Sequence, residues 1–188
     1  MSDMNDTMNA SPHSMPTEHA DAWRGRVEAL HLCPRAFLPM RAFERIELLA
    51  GKGIVGDRYM NESGFYSHKP EEGRQVTLFE AEALEAIWRD HGIRFGPEEH
   101  RRNVTVRGVP LNTLVGQRFW LGETLLEATR LSVPCRHIEE VTGKPVFDAM
   151  VGRSGLNCRI LKGGFVRLGD PVEAGSARAT AYETERAS

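Results

Sequence analysis

The sequence has few cysteines and no long apolar run. Its three cysteines, Cys33, Cys135 and Cys158, are widely spaced and odd in number, which excludes a disulfide framework and favours a reducing compartment. No apolar stretch approaches the ~20 residues of a membrane-spanning helix. Residues 1–22 are rich in Ser, Asp, Asn, Met and Pro and lack the apolar core of a signal peptide. These absences predict a cytoplasmic protein that does not contact a membrane.

Lysine is also scarce. The chain has four lysines against twenty arginines, and its formal net charge is -2. This balance gives no reason to expect nucleic-acid binding. The planar fork of arginine suits phosphate and carboxylate groups, so a phosphate-bearing ligand is compatible with the composition. A genome-wide preference for arginine over lysine would produce the same count.

The 188 residues are enough for one domain with a proper core. We expect a disordered N-terminal tail over residues 1–22, one domain over 23–174 and a flexible C-terminal tail over 175–188. Residues 61–73 contain Gly64, Pro70 and Gly73 and predict a long surface loop.

Most of the ordered chain is predicted to be β-strand. Residues 26–32 alternate partly between apolar and polar, and 43–50 is a second candidate. Later strands are short and separated by turns, of which Gly122-Glu123 and Gly163-Gly164 are typical of two-residue hairpins. The later predicted strands are residues 103–106, 117–121, 124–128, 156–161 and 165–168. Meandering strands of this kind avoid exposed edges best by closing into a barrel.

One helix has clear start and stop signals. Thr77 and Glu80 have the spacing of a capping box, with Thr77 as the N-cap, and Gly92 is the predicted end. The residues expected to share its apolar face are Ala83, Leu84, Ile87 and Trp88. A second, short helix is possible after Cys135, and Pro145 would end it.

Residues 51–56 match the glycine pattern Gly-x-Gly-x-x-Gly of dinucleotide-binding loops. That function requires a helix to begin at the loop, so that its amides hold a pyrophosphate. Residues 57–64 have no apolar helical periodicity. We therefore interpret these glycines as turn residues.

Cys135 is the cysteine with basic neighbours, namely Arg130, Arg136 and His137. Cationic surroundings favour a reactive thiolate, so Cys135 is a candidate ligand or nucleophile. The local sequence alone favours the alternative, a buried and unreactive cysteine. A zinc site is disfavoured because no second Cys or His cluster completes four ligands.

Several segments together resemble the MOSC domain, named for the C-terminal domain of molybdenum-cofactor sulfurase. The matching segments are Gly53-Ile-Val-Gly-Asp-Arg-Tyr59, Gly73-Arg-Gln-Val-Thr-Leu-Phe-Glu80, His100-Arg-Arg-Asn-Val-Thr-Val106, residues 116–127, Pro134-Cys135, Arg153-Ser-Gly-Leu-Asn-Cys-Arg-Ile-Leu161 and Gly169-Asp-Pro-Val172. In order they cover residues 25–174. The resemblance implies a mainly β fold, a closed β-barrel similar to the β-barrel domain of pyruvate kinase, with a few peripheral helices.

The resemblance also implies association with the molybdenum cofactor. The family cysteine, as metal ligand or sulfur carrier, corresponds to Cys135. The family's pterin or phosphate contacts correspond to Arg58, Arg101 and Asn103. These residue types suit the task, because Arg forks bind phosphate, Asn donates and accepts on a pterin edge, and a thiolate binds a soft metal.

Three functions remain open. As an enzyme, the chain would reduce N-hydroxylated or related small molecules with electrons from a separate protein, since three scattered cysteines cannot hold an iron–sulfur cluster. As a sulfur carrier, it would hold a persulfide on Cys135 and need a cysteine desulfurase, because no pyridoxal-phosphate domain is present. As a non-catalytic module, it would bind an anionic ligand. Val133, where cofactor-binding relatives present a hydroxyl or a second cysteine, departs from the pattern.

Overall fold

The structure is a computed structural model that describes residues 23–65, 67 and 73–175. The predicted tails lie outside these residues, apart from Gly175, as does part of the predicted loop at 61–73. The strands are Arg24–Leu32 (β1), Arg41–Ala42 (β2), Arg45–Leu49 (β3), Gly53–Ile54 (β4), Val76–Glu80 (β5), Val104–Arg107 (β6), Arg118–Leu121 (β7), Thr124–Leu131 (β8), Leu156–Lys162 (β9), Gly164–Arg167 (β10) and Pro171–Ala174 (β11). The helices are Ala81–His91 (α1) and Arg136–Thr142 (α2), with 3-10 turns at Leu111–Thr113 and Asp148–Met150.

Seven strands close into a barrel, as predicted. Their order is β1, β6, β5, β9, β8, β7 and β11, and β11 pairs back with β1. All neighbours are antiparallel except β5 and β6, which are parallel. Closure leaves no unpaired edge in the barrel wall. A separate three-stranded sheet of order β10, β3 and β4 lies beside it.

The barrel interior is the main apolar core. It is filled by buried aliphatic side chains from all seven strands and by Phe119, which is fully buried. A second core cluster lies under α1 and α2, where Phe79, Ile87 and Ile138 pack together. Cys135, which directly precedes α2, packs against this second cluster.

The predicted hairpin across Gly122-Glu123 is confirmed by the pairing of β7 with β8. The predicted hairpin across Gly163-Gly164 is wrong. Strand β9 already pairs with β5 on one side and β8 on the other, so β10 has no edge of β9 to join. The chain instead leaves the barrel at Gly164, with φ 147°, and β10 pairs with β3.

The predicted N-cap of the first helix is also wrong. Thr77 lies within β5, and the helix begins after Glu80, whose backbone is extended. The Glu80 carboxylate accepts a hydrogen bond from the Leu111 amide (2.8 Å) instead of reaching back to Thr77. The helical end at Gly92 is confirmed, with φ 68°. Trp88, expected on the buried face, is 49% exposed and lies against the Arg94 guanidinium.

The Gly-x-Gly-x-x-Gly segment contains the two-residue strand β4 and turns, and no helix begins there, as predicted. The short helix after Cys135 is confirmed as α2, which ends at Gly143. No helix within the described residues is long and apolar enough to cross a bilayer.

Candidate functional site

Cys135 lies at a cleft of about 160 Å³ on one end of the barrel. The cysteine has an extended backbone and directly precedes α2, so its side chain is held where strand β8 has ended and the helix begins. The residue is partly exposed. The residues that line the cleft are Arg58, Tyr59, Arg74, Thr77, Arg101, Arg102, Arg130, Ser132, Val133, Cys135 and Asn157.

The lining is strongly cationic. Five arginines contribute to it, and none of its described residues carries a carboxylate. Their positive potential is concentrated in a concave site of low dielectric, which favours anions over cations. Arg74 and Arg130 come from different parts of the chain, and their neighbours are in contact, since the Thr129 hydroxyl donates a hydrogen bond to the Gly73 carbonyl (2.7 Å).

Arg58 forms part of the cleft floor and is only 4% exposed. Its guanidinium donates to the Asp57 carboxylate (3.2 Å), the Cys33 sulfur (3.3 Å) and the Arg101 carbonyl (2.7 Å). Burial is the largest single effect and opposes the charged form, but the Asp57 carboxylate together with Cys33 and Tyr59 outweighs it, and the pKa of Arg58 is raised above its ordinary value. Arg58 is therefore a permanently charged and rigid part of the floor.

Arg101 lies beside Arg58 in an unusual backbone conformation. Its φ of 65° is in the left-handed region, which costs a non-glycine residue of the order of 1 kcal/mol. Its guanidinium donates to the Leu38 carbonyl and lies 3.6 Å from the Cys33 sulfur. Burial and the neighbouring Arg58 charge both lower the pKa of Arg101. The surroundings thus hold two like charges together next to Cys135.

Asn103, the other residue implied by the resemblance, is buried and does not line the cleft. Its carbonyl oxygen accepts hydrogen bonds from the Thr77 amide (3.2 Å) and hydroxyl (2.8 Å). Its amide group donates to Asp57 (3.1 Å) and to the His31 carbonyl (3.4 Å). Asn103 therefore joins β5 to the carboxylate that holds Arg58, and acts behind the cleft rather than at its surface.

A smaller recess of about 30 Å³ lies on another side of Cys135. It shares Arg58, Arg101 and Arg102 with the main cleft and adds Phe65 and His137. The His137 ring stacks on Phe65 with a centroid distance of 4.3 Å. Burial and then the charge of Arg101 lower the pKa of His137, which favours the neutral ring.

Four arginine or tyrosine residues that line the cleft were not predicted as site residues from the sequence. They are Tyr59, Arg74, Arg102 and Arg130. The excess of arginine over lysine did not indicate which arginines converge, and Arg130 was noted only as a basic neighbour of Cys135 in the sequence. Cys33 was also missed. It is buried behind Arg58 and Arg101, and its sulfur accepts a hydrogen bond from Arg58.

The fold and the site define a class of protein: a closed β-barrel with a cationic cleft that contains one thiol. The family model of the MOSC domain matches residues 66–173, which is more than half of the chain, and the chain therefore belongs to the MOSC domain family. No curated protein matches the chain in sequence.

Solved structures support the fold. The YuaD protein from Bacillus subtilis is similar with a TM-score of 0.68 and 23% identity over 80% of this chain and 97% of that one. YiiM from Geobacillus stearothermophilus has a TM-score of 0.63 and 13% identity, over 80% and 74% of the two chains. YiiM from Escherichia coli has a TM-score of 0.58 and 16% identity, over 79% and 69%. At these identities the likeness concerns the fold alone.

Proposed function

We propose that this MOSC-domain protein binds the molybdenum cofactor in the cationic cleft, with the Cys135 thiolate as the protein ligand to molybdenum. The observation that supports the proposal is the composition of the cleft, which combines one thiol with five arginines and no carboxylate among its described residues. A thiolate suits a soft, redox-active metal, and guanidinium forks suit a phosphate.

The chemistry of the donors fits a cofactor better than a bare metal ion. Within the described ranges, no group of three or more His, Cys, Asp or Glu side chains is placed to hold an ion. A single thiolate is sufficient only for a metal that brings its other ligands with it, as molybdenum does in its pterin cofactor. When bound, the cofactor would supply the electron transfer to the substrate.

Residues of this chain would bind the cofactor and orient it. Arg58 and Arg101 keep the floor of the cleft positively charged beside Cys135, and their own contacts with the protein prevent them from moving. A ligand phosphate would meet this potential without reorganisation of the floor. We propose reduction of N-hydroxylated or related small molecules, with electrons from a separate protein.

Metal and pterin analysis tests this proposal. The full chain would be expressed in a host that makes the cofactor, and molybdenum and pterin measured for the wild type, Cys135→Ser and Cys158→Ala. Cys158 is fully buried in the barrel core and is the matched control. We expect molybdenum in the wild type and the control, and its loss in Cys135→Ser. A wild type that contains neither molybdenum nor pterin would contradict the proposal.

Sulfur carriage is the second candidate, and the partial exposure of Cys135 where two recesses meet favours it. The Cys135 thiolate would attack the outer sulfur of a persulfide on a cysteine desulfurase, forming a new persulfide and releasing the donor thiolate. Mass spectrometry after incubation with desulfurase and cysteine tests this step. We expect one added sulfur on Cys135 in the wild type, and an unmodified Cys135 would contradict it.

A further inference from the structure

A buried histidine holds the backbone of Arg102 in place. The Arg102 amide donates to Nδ1 of His100 (2.9 Å), so Nε2 carries the ring proton and donates to the Thr105 hydroxyl (2.9 Å). The His100 ring is completely buried and stacks on Phe79 at 4.3 Å. Burial, and then the Arg102 charge, lower the pKa of His100 well below its ordinary value. The neutral ring therefore keeps accepting the Arg102 amide.

The Arg102 side chain joins two separate segments of the chain. Its Nε donates to the Ser154 carbonyl and its Nη2 to the Ser154 hydroxyl, each at 3.0 Å. The same Nη2 donates to the Val133 carbonyl at 3.4 Å. Val133 is two residues before Cys135, so one guanidinium connects the cysteine segment to the turn that precedes β9.

The cysteine segment depends on such backbone contacts. Residues 132–135 have no regular secondary structure, and the Val133 side chain is 69% exposed, so it adds little packing. The Ser132 amide donates to the Gly155 carbonyl (2.7 Å), one residue beyond Ser154. The contacts to Ser154 and Gly155 thus lie side by side and fix the segment at one place.

We infer that Arg102 is a positioning residue, which holds the segment before Cys135 against the Ser154 turn and thereby sets the place of the thiol in the cleft. This inference rests on the proposed function in one respect, that Cys135 is the reacting group. Arg102 and Cys135 line both recesses, so a shift of the segment would change the thiol's relation to each.

Lysine cannot replace this contact. The guanidinium reaches Ser154 through two nitrogens and Val133 through one of them, which requires a planar fork with fixed geometry. A lysine ammonium keeps the charge but donates from a single nitrogen. Arg102→Lys therefore separates positioning from charge, and Arg102→Gln removes both.

The test is the rate of alkylation of Cys135 by iodoacetamide, followed by peptide mass spectrometry from pH 6 to 10 in the cofactor-free full chain. The variants are Arg102→Lys, Arg102→Gln and Ser154→Ala. Arg136→Lys is the matched control, because Arg136 adjoins Cys135 but its side chain is exposed and pairs with Glu139. Thermal unfolding of each variant verifies that it is folded.

We expect Arg102→Lys and Arg102→Gln to raise the high-pH plateau rate of Cys135 alkylation by about fivefold or more. Loss of one net hydrogen bond raises by about this factor the population of chains in which the cysteine segment is displaced from the Ser154 turn. Ser154→Ala should raise it less, and Arg136→Lys should leave it unchanged. A wild-type plateau in Arg102→Lys and Ser154→Ala would overturn the inference.

The assay needs no cofactor, so it separates the two proposals. Absence of molybdenum from the wild type would reject the proposed function and leave the alkylation result standing. A wild-type alkylation plateau in the variants of Arg102 and Ser154 would reject the positioning role while metal binding by Cys135 could still be measured.

Discussion

Arg58 donates a hydrogen bond of 2.7 Å to the backbone carbonyl of Arg101. This bond joins two residues that the sequence assigns to one site, and it stabilises the left-handed backbone of Arg101. The floor of the cleft is therefore a connected unit in which one arginine fixes the other. A change at Arg58 would alter the charge of the cleft and the conformation of Arg101 together.

The three cysteines should differ sharply in reactivity. Cys135 is partly exposed, whereas Cys33 and Cys158 are buried, and burial raises the pKa of the Cys158 thiol far above its ordinary value. We expect one rapidly modified thiol per folded chain, assigned to Cys135 by peptide mass spectrometry. The other two should react only at the rate of local or global opening. Rapid modification of Cys158 in the folded chain would show that the barrel core is not closed as described.

Asn103→Ala should destabilise the fold. The substitution leaves the buried amide and hydroxyl of Thr77 without their acceptor and removes a donor from Asp57. We expect a loss of about 2–3 kcal/mol in the free energy of unfolding, measured with urea. The control is Asn112→Ala, whose single bond to the Gly152 carbonyl is exposed and should cost about 1 kcal/mol or less. Equal losses in the two variants would contradict a supporting role for Asn103 behind the cleft.

Gly155 permits a close approach that no larger residue allows. Its φ is +94°, and a Cβ there would collide with the Leu78 carbonyl of β5. Gly116 also has a positive φ, +81°, but open space around it, so the two share the backbone strain and differ in the collision. We expect Gly155→Ala to cost at least about 2 kcal/mol more than Gly116→Ala in urea unfolding. Similar costs would show that β5 and β9 can separate without loss of stability.

Stability should fall as the pH drops below about 6.5. Buried His100 is neutral because burial, the Arg102 charge and the nearby His31 all lower its pKa, and His31 and His137 are shifted in the same direction. The unfolded chain binds protons near pH 6.5 that the folded chain does not. Stability present above that pH is therefore lost as the pH falls toward the folded-state pKa, by up to about 1.4 kcal/mol per pH unit for each histidine.

Urea unfolding at pH 7.5 and 5.5 measures this dependence. His100→Gln should be less stable than the wild type at pH 7.5 but lose less on acidification. His91→Gln, at the exposed end of α1, should keep the wild-type pH dependence. If His100→Gln and the wild type lost equal stability between the two pH values, His100 would not be neutral in the folded chain.

The closed barrel and the hairpin of β7 and β8 could be predicted from the sequence because strand alternation and turn chemistry are local. The prediction of a hairpin at Gly163-Gly164 was wrong because both edges of β9 already pair with β5 and β8, strands that come from distant parts of the chain. The role of Arg102 was not predictable for the same reason. Its partners Val133 and Ser154 are 31 and 52 residues away, and neither separation leaves a pattern in the sequence.

X-ray absorption at the molybdenum edge tests the central claim, the ligation of molybdenum by Cys135, most directly. The measurement would compare the wild type with Cys135→Ser, both purified from a cofactor-producing host. We predict that Cys135→Ser loses the metal, and that any molybdenum it retains has one sulfur neighbour fewer than in the wild type. Equal metal content with an unchanged number of sulfur neighbours would contradict the account.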